Sequence, residues 1–181
     1  MIDNIGHAVG SRIRQGGLAI VLLGETTGWL GQSLYLREIL GREEGAPPPV
    51  DLAVERRNGD FVRRQIVDGR IAACHDLSDG GLLVGLAEMC LSGGTGAVIK
   101  LPADTALPHA FLYGEDQGRY LAATDDGGAL LDAAAAAGVP AVRLGYSGGP
   151  DLVVEGLLSV ALSDLRTVHE GWLPDYMNKA A

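Results

Sequence analysis

The chain has 181 residues, 47% of them hydrophobic and 20% charged, which is enough apolar material for a buried core and excludes a disordered chain. A formal net charge of −9 excludes the clustered basic surface that a nucleic-acid partner requires, but leaves room for a small local anion site. No apolar run reaches membrane-spanning length and no secretory leader pattern opens the chain, so a cytoplasmic protein with no membrane partner is expected.

Residues 1–17, MIDNIGHAVGSRIRQGG, show no clear period and are expected to be the tail of a preceding domain or a linker, with residues 18–181 forming one domain. LAIVLLG, from Leu18 to Gly24, is a short apolar run closed by glycine, the pattern of a buried strand. The loop GETTGWLGQS follows, and its Glu25, Thr26, Thr27, Gln32 and Ser33 either contact a ligand or hold the loop by their own hydroxyls. It matches no standard phosphate-binding loop.

SLYLREILG has a Ser start, helical spacing and a Gly stop, and predicts a helix. Pro47, Pro48 and Pro49 then break the chain. From Val50 an amphipathic helix is expected, with Leu52, Phe61, Val62 and Ile66 on one face and Gly59 weakening its middle. IAACHD reads as a strand, Leu82 to Leu91 as a helix, and AVIKL as another strand. The second half alternates again. GRYLAAT is a strand, DDGGALLDAAAAAG a helix, PAVRLGYSGGPDLVVEG two strands joined by a turn at Tyr146–Asp151, and LSVALSDLRTVHEGWL a strand followed by a helix. One α/β or α+β domain is predicted.

The polar stretch HDLSDGGL lies where a strand ends and a helix begins, a common ligand position in α/β sheets. Two readings stay open from the residues alone. Asp76 and Asp79 suit a divalent metal bridging to phosphate, and Gly80 and Gly81 allow a ligand close to the helix start. Alternatively, Ser78 or Asp79 caps the helix and the turn serves only itself. His75 is expected to bond Asp79 or a nearby backbone group, and no second His or Cys stands at zinc-ligand spacing. Cys74 and Cys90 sit in apolar contexts and read as free thiols of a reducing compartment. In YGEDQGRY, Arg119 either pairs with Glu115 or joins Glu115, Asp116 and Gln117 in ligand recognition.

LLGETTGWLGQSLYLREI, HDLSDGGLLVGLAEMCL and YGEDQGRYLAAT, in that order, resemble the C-terminal domain of the aminoimidazole ribonucleotide synthetase superfamily, from about Ile2 to Trp172. The resemblance implies an α+β fold: a single three-layer α/β/α domain with a mixed sheet. Within the superfamily the closest resemblance is to a purine-biosynthetic ligase. That enzyme converts formylglycinamide ribonucleotide, ATP and glutamine-derived ammonia to formylglycinamidine ribonucleotide. Its synthetase chain carries two A domains, which form the catalytic cleft, and two flanking B domains. This chain resembles the second B domain alone, so no catalytic residue is expected in it.

By correspondence with the first B domain, the resemblance implies an inherited substrate or nucleotide pseudo-site of Asp76, Ser78, Asp79, Gly80, Gly81, Glu115, Gln117 and Arg119, with Asp76 as the metal ligand. ATP and Mg²⁺ are implied for the parent, and none tightly bound by this chain. The implied partners are the preceding A domain, a glutaminase subunit, a small accessory subunit and a second copy of this chain. The other reading is an autonomous nucleotide- or phosphoribosyl-binding module with Mg²⁺ at the His75–Gly81 turn.

Overall fold

Ala19–Leu23 is buried at every residue, as a strand apolar on both faces must be, and this strand, β1, runs through the interior of the sheet. The computed structural model describes residues 4–179. After β1 come α1 (Leu52–Val67), β2 (Ala73–Asp76), α2 (Gly81–Gly93), β3 (Ala97–Ile99), α3 (Pro108–Tyr113), β4 (Tyr120–Thr124), α4 (Gly127–Ala136), β5 (Ala141–Ser147), β6 (Asp151–Val154), β7 (Leu158–Ala161) and α5 (Leu162–Lys179). Among the described residues seven strands form one mixed sheet in the order β2-β4-β1-β5-β3-β6-β7, with only the β3–β6 pair parallel.

The period of two divides β1 between two cores. Ile20 and Leu22 pack with Leu82, Leu86 and Met89 of α2 and with Leu112 of α3. Ala19, Val21 and Leu23 pack with Phe61 and Val62 of α1 and with Leu130 and Ala134 of α4. The result is the expected three-layer α+β domain.

Several local expectations change. Tyr35–Ile39 winds as a π-helical segment rather than an α-helix, although Ser33 Oγ accepts from Leu36 N (3.3 Å) at its start as the sequence suggests. In α1, Asp51 caps the first turn by accepting from Ala53 N (2.9 Å) and Val54 N (3.1 Å). Leu52 is not on the buried face. It is 78% exposed, and the buried stripe is Asn58, Phe61, Val62 and Gln65. The short helix α3 has no counterpart among the elements expected from the sequence. The turn between β5 and β6 does not make a hairpin. Gly148 N donates to Gly96 O (2.7 Å) and Gly96 N to Gly149 O (2.8 Å), so β3 enters the sheet between the two strands.

Residues 10–17, expected as tail or linker, are seated in the domain. Ile13 is fully buried, its N–H bonds Met89 O (3.2 Å), and Gly10 O accepts from Cys74 N (3.0 Å). Residues 1–3 of that expected segment, and 180–181 of the expected domain, lie outside the described residues. At the other end, α5 buries Leu162 but exposes Val168, Trp172, Leu173, Tyr176 and Met177.

Gly93 is what lets residues 10–15 lie on α2, because a Cβ there would fall on the Ile13 carbonyl. An alanine gains at most about 1 kcal/mol of helix propensity, against about 1–3 kcal/mol for overpacking on a backbone that cannot rotate aside. Gly93→Ala is therefore expected to lower the urea midpoint, and an unchanged or raised midpoint would show that the N-terminal segment is not anchored there.

Burial pushes the thiols of Cys90 and Cys74 up to about 12, with Asp76 adding to the rise at Cys74. An unfolded thiol ionises near 9, so the folded state holds its protons longer, and this contribution to stability is complete below pH 9 and lost between 9 and 12. Native protein at pH 8 is expected to react with a thiol reagent about a thousandfold more slowly than the urea-unfolded chain, since only the thiolate attacks. Equal rates would mean the thiols are accessible and unperturbed.

Candidate functional site

The ends of β1 and β2 adjoin the start of β4, since Leu23 and Asp76 both stand opposite Tyr120 in the register. Three polar segments therefore meet at one end of the sheet: the loop 24–34, the turn 77–80, and GEDQGR at 114–119.

The acidic residues of GEDQGR turn inward. Glu115 is 8% exposed, and its Oε1 accepts from Leu34 N and from Gly80 N, both at 2.8 Å. One carboxylate thus serves the first N–H groups of two helical segments, where a negative charge also suits the helix dipole. Asp116, 7% exposed, accepts from Thr27 N (3.2 Å), Gly28 N (3.0 Å), Trp29 N (3.4 Å) and the Thr27 hydroxyl.

Arg119 is 1% exposed and lies beneath both acids. Its Nε donates to Asp116 O (3.1 Å), Nη1 to Thr26 Oγ1 (3.2 Å) and Nη2 to Gly114 O. Nη1 stands 3.9 Å from Asp116 Oδ2. Burial pulls the guanidinium below its ordinary pKa, opposed by Asp116 and then by Glu115. Its ion-pair partner is Asp116, not the Glu115 expected from the sequence. Asn58 of α1, fully buried, completes the set by donating to Gly118 O (2.9 Å).

The glycines of the turn have an internal reason. Gly80 takes a left-handed φ of +77° as the residue before α2, and no side chain caps that helix, so neither Ser78 nor Asp79 is the N-cap. Glu115, 35 residues away, instead accepts from the N–H of Gly80 itself. Gly81 has φ +66°, and a Cβ on it would meet the Gly114 carbonyl. The close approach that the glycine pair permits is made by the chain's own backbone.

The other expected site residues point elsewhere. Asp76, Ser78, Asp79 and Gln117 are exposed, with 78% of the Asp76 side chain in solvent. His75 bonds Glu88 (Nε2 to Oε2, 2.9 Å) and, through Nδ1, the Asp76 carbonyl, rather than Asp79. Among the described residues no group of three His, Cys, Asp or Glu side chains is placed to hold a metal ion. The eight expected residues therefore split into a buried set, Gly80, Gly81, Glu115 and Arg119, and an exposed rim. The pseudo-site implied by the resemblance omits Asp116, which the residues alone offered beside Glu115 and Gln117, and Asn58 stands in neither reading. Asp116 falls between the Glu115 and Gln117 that the resemblance picks out, and its place three residues before Arg119 was its one local signal. Asn58 lies among charged residues of α1 and bonds Gly118 across 60 positions, so nothing local marks it.

Removing one member of a buried ion pair costs about 3–5 kcal/mol. Asp116→Ala strands Arg119 and three backbone N–H groups and is expected to lose about that much in urea unfolding, whereas Asp76→Ala, at an exposed site, should stay within about 0.5 kcal/mol. Similar losses for the two variants would refute the split between buried set and rim.

Residues 15–155 match the family model described as AIR synthase related protein, C-terminal domain. The chain is 57% identical over 172 residues to phosphoribosylformylglycinamidine synthase subunit PurL of Acidiphilium cryptum, covering 95% of this chain and 24% of the relative. It is 53% identical to the same subunit of Methylocella silvestris, covering 99% of this chain and 25% of that one. The chain thus spans about a quarter of the length of these relatives. Among solved structures, T. maritima PurL complexed with FGAR superposes with a TM-score of 0.74 at 18% identity, over 89% of this chain and 30% of that one, which shows a shared fold. With the family model covering most of its length, the chain belongs to the AIR synthase related protein C-terminal domain family.

Proposed function

We propose that this chain is one domain of a phosphoribosylformylglycinamidine synthase subunit. Its role there is architectural, within the ATP-dependent conversion of formylglycinamide ribonucleotide and glutamine-derived ammonia to formylglycinamidine ribonucleotide. The observation that carries this reading is 57% identity over 95% of the chain to a relative it covers by only 24%. The geometry supports the architectural part. Glu115 and Arg119, which a substrate site would need facing outward, are spent on the chain's own loops.

Asp76, Ser78, Asp79 and Gln117 are left to face whatever packs on that end of the sheet. In the parent this would be the preceding A domain. The fold is also shared with PurLQS from Thermotoga maritima, which supports a multi-subunit assembly, with a glutaminase and a small accessory subunit as its other members. The exposed apolar face on the outer half of α5 supports a covering partner, either another part of the parent or a second copy of this chain.

ATP belongs to the parent in this reading, in keeping with T. maritima PurL complexed with ATP. Magnesium requires several oxygen ligands in octahedral geometry, commonly one or two carboxylates with phosphates and water. Asp76 offers one exposed carboxylate, and among the described residues no group of three metal-ligating side chains surrounds it, so the protein by itself supplies too few ligands for a resident magnesium ion. An autonomous Mg²⁺–nucleotide module at the His75–Gly81 turn finds no such support.

The test is a graft. This chain replaces the matching segment of the Acidiphilium cryptum relative, and the chimera and the isolated chain are both assayed for ATP-dependent amidine formation. The chimera is expected to keep activity within about tenfold of its parent, a barrier change of ~1.4 kcal/mol, and the isolated chain to show none. Product from the isolated chain, or a folded but inactive chimera, would overturn the proposal.

A further inference from the structure

We propose that a cleft on the outer side of the loop 24–28 binds a small uncharged molecule through an amide or lactam edge, a carbonyl beside an N–H. The inference stands apart from the function proposed above and does not depend on it. The cleft encloses about 550 Å³, lies beyond the end of β1 and the start of β5, and is walled by Leu22, Phe111 and Val142 with Pro102 and Pro140. That volume and apolar lining suit a ligand of one or two rings.

The polar groups set the ligand's chemistry. Thr26 and Thr27 line the cleft side by side, and the buried ion pair below fixes what each hydroxyl can do. Arg119 donates to Thr26 Oγ1 (3.2 Å), and a guanidinium accepts nothing, so the Thr26 hydroxyl hydrogen must be donated elsewhere. Thr27 is the reverse case. Its hydroxyl donates to Asp116, which leaves its oxygen lone pairs free. The cleft therefore presents one donor next to one acceptor, on side chains held by groups that are 1% and 7% exposed. Such preorganisation lowers the cost of binding. A carbonyl adjacent to an N–H complements this pair. Charge narrows the choice further. Glu25 and Asp104 line the cleft and, among the described residues, no Lys, Arg or His does, so an anion is repelled.

Two sources carry the same edge, a carboxamide and a purine lactam. The test titrates the ¹⁵N-labelled 181-residue chain with benzamide and with hypoxanthine, and with benzoate as the isosteric anion. At least one neutral probe is expected to shift the amides of Thr26, Thr27, Phe111 and Val142 saturably, with a Kd at or below about 1 mM. Saturation by benzamide alone assigns the carboxamide source, and by hypoxanthine alone the lactam. Benzoate should bind at least about tenfold more weakly than benzamide, and Thr26→Val should weaken neutral binding by about tenfold through loss of the donor. Because Thr26 touches Arg119, the double variant Glu25→Gln, Asp104→Asn provides a test away from the ion pair. It is expected to close most of the benzamide–benzoate gap. No saturable shift with either neutral probe at about 10 mM, ten times the expected limit, or benzoate binding as tightly as benzamide, would overturn the proposal.

Discussion

Two adjacent buried carboxylates, with one buried guanidinium beneath them, hold together the polar end of this domain. Water normally satisfies the N–H groups of a loop, but the backbone of Thr27, Gly28, Trp29, Leu34 and Gly80 is served instead by Glu115 and Asp116. Burying such charges is unfavourable unless they are paired and fully hydrogen-bonded. Here the condition is met from both sides, since Arg119 places its donors on a carbonyl of Asp116, a carbonyl of Gly114 and the hydroxyl of Thr26. The close backbone packing at Gly81 and Gly114 follows from this arrangement, because the loops must come within hydrogen-bond reach of side chains rooted on a third segment.

The contrast between this buried set and the exposed rim explains how a sequence can look like a ligand site without being built as one. The same residue types serve substrate recognition when they face a cleft, and cross-link loops when they face inward. The residues alone do not distinguish the two cases. The direction of each side chain does, and direction depends on the register between β1, β2 and β4.

Much of the fold was legible in the sequence because its signals are local. Ala19–Leu23 is an unbroken apolar run, Asp51 and Asp126 are ordinary helix caps, and the Ala-rich stretch ending in Gly138 could hardly be anything but a helix. The missing pieces are those that depend on distant partners. Insertion of β3 between β5 and β6 cannot be read from a turn that looks like a hairpin. Ile13 sits in a segment with no period of its own and is buried only because α2 offers it a glycine. The π-helical turn at Tyr35–Ile39 carries the same spacing as an α-helix. The resemblance to a known family pointed to the right segments, yet its pattern passed over Asp116, the residue with the most loop contacts.

The carboxylate of Glu115 reaches back 81 positions along the chain to Leu34 and 35 to Gly80. During synthesis from the N-terminus, the loop after β1 and the start of α2 leave the ribosome well before the group that organises them. Until residue 119 follows, the emerging chain has strands and helices whose polar ends lack an anchor, and only solvent can satisfy them. The domain is therefore expected to set its polar end late and all at once, with the arrival of one six-residue segment completing two loops made earlier.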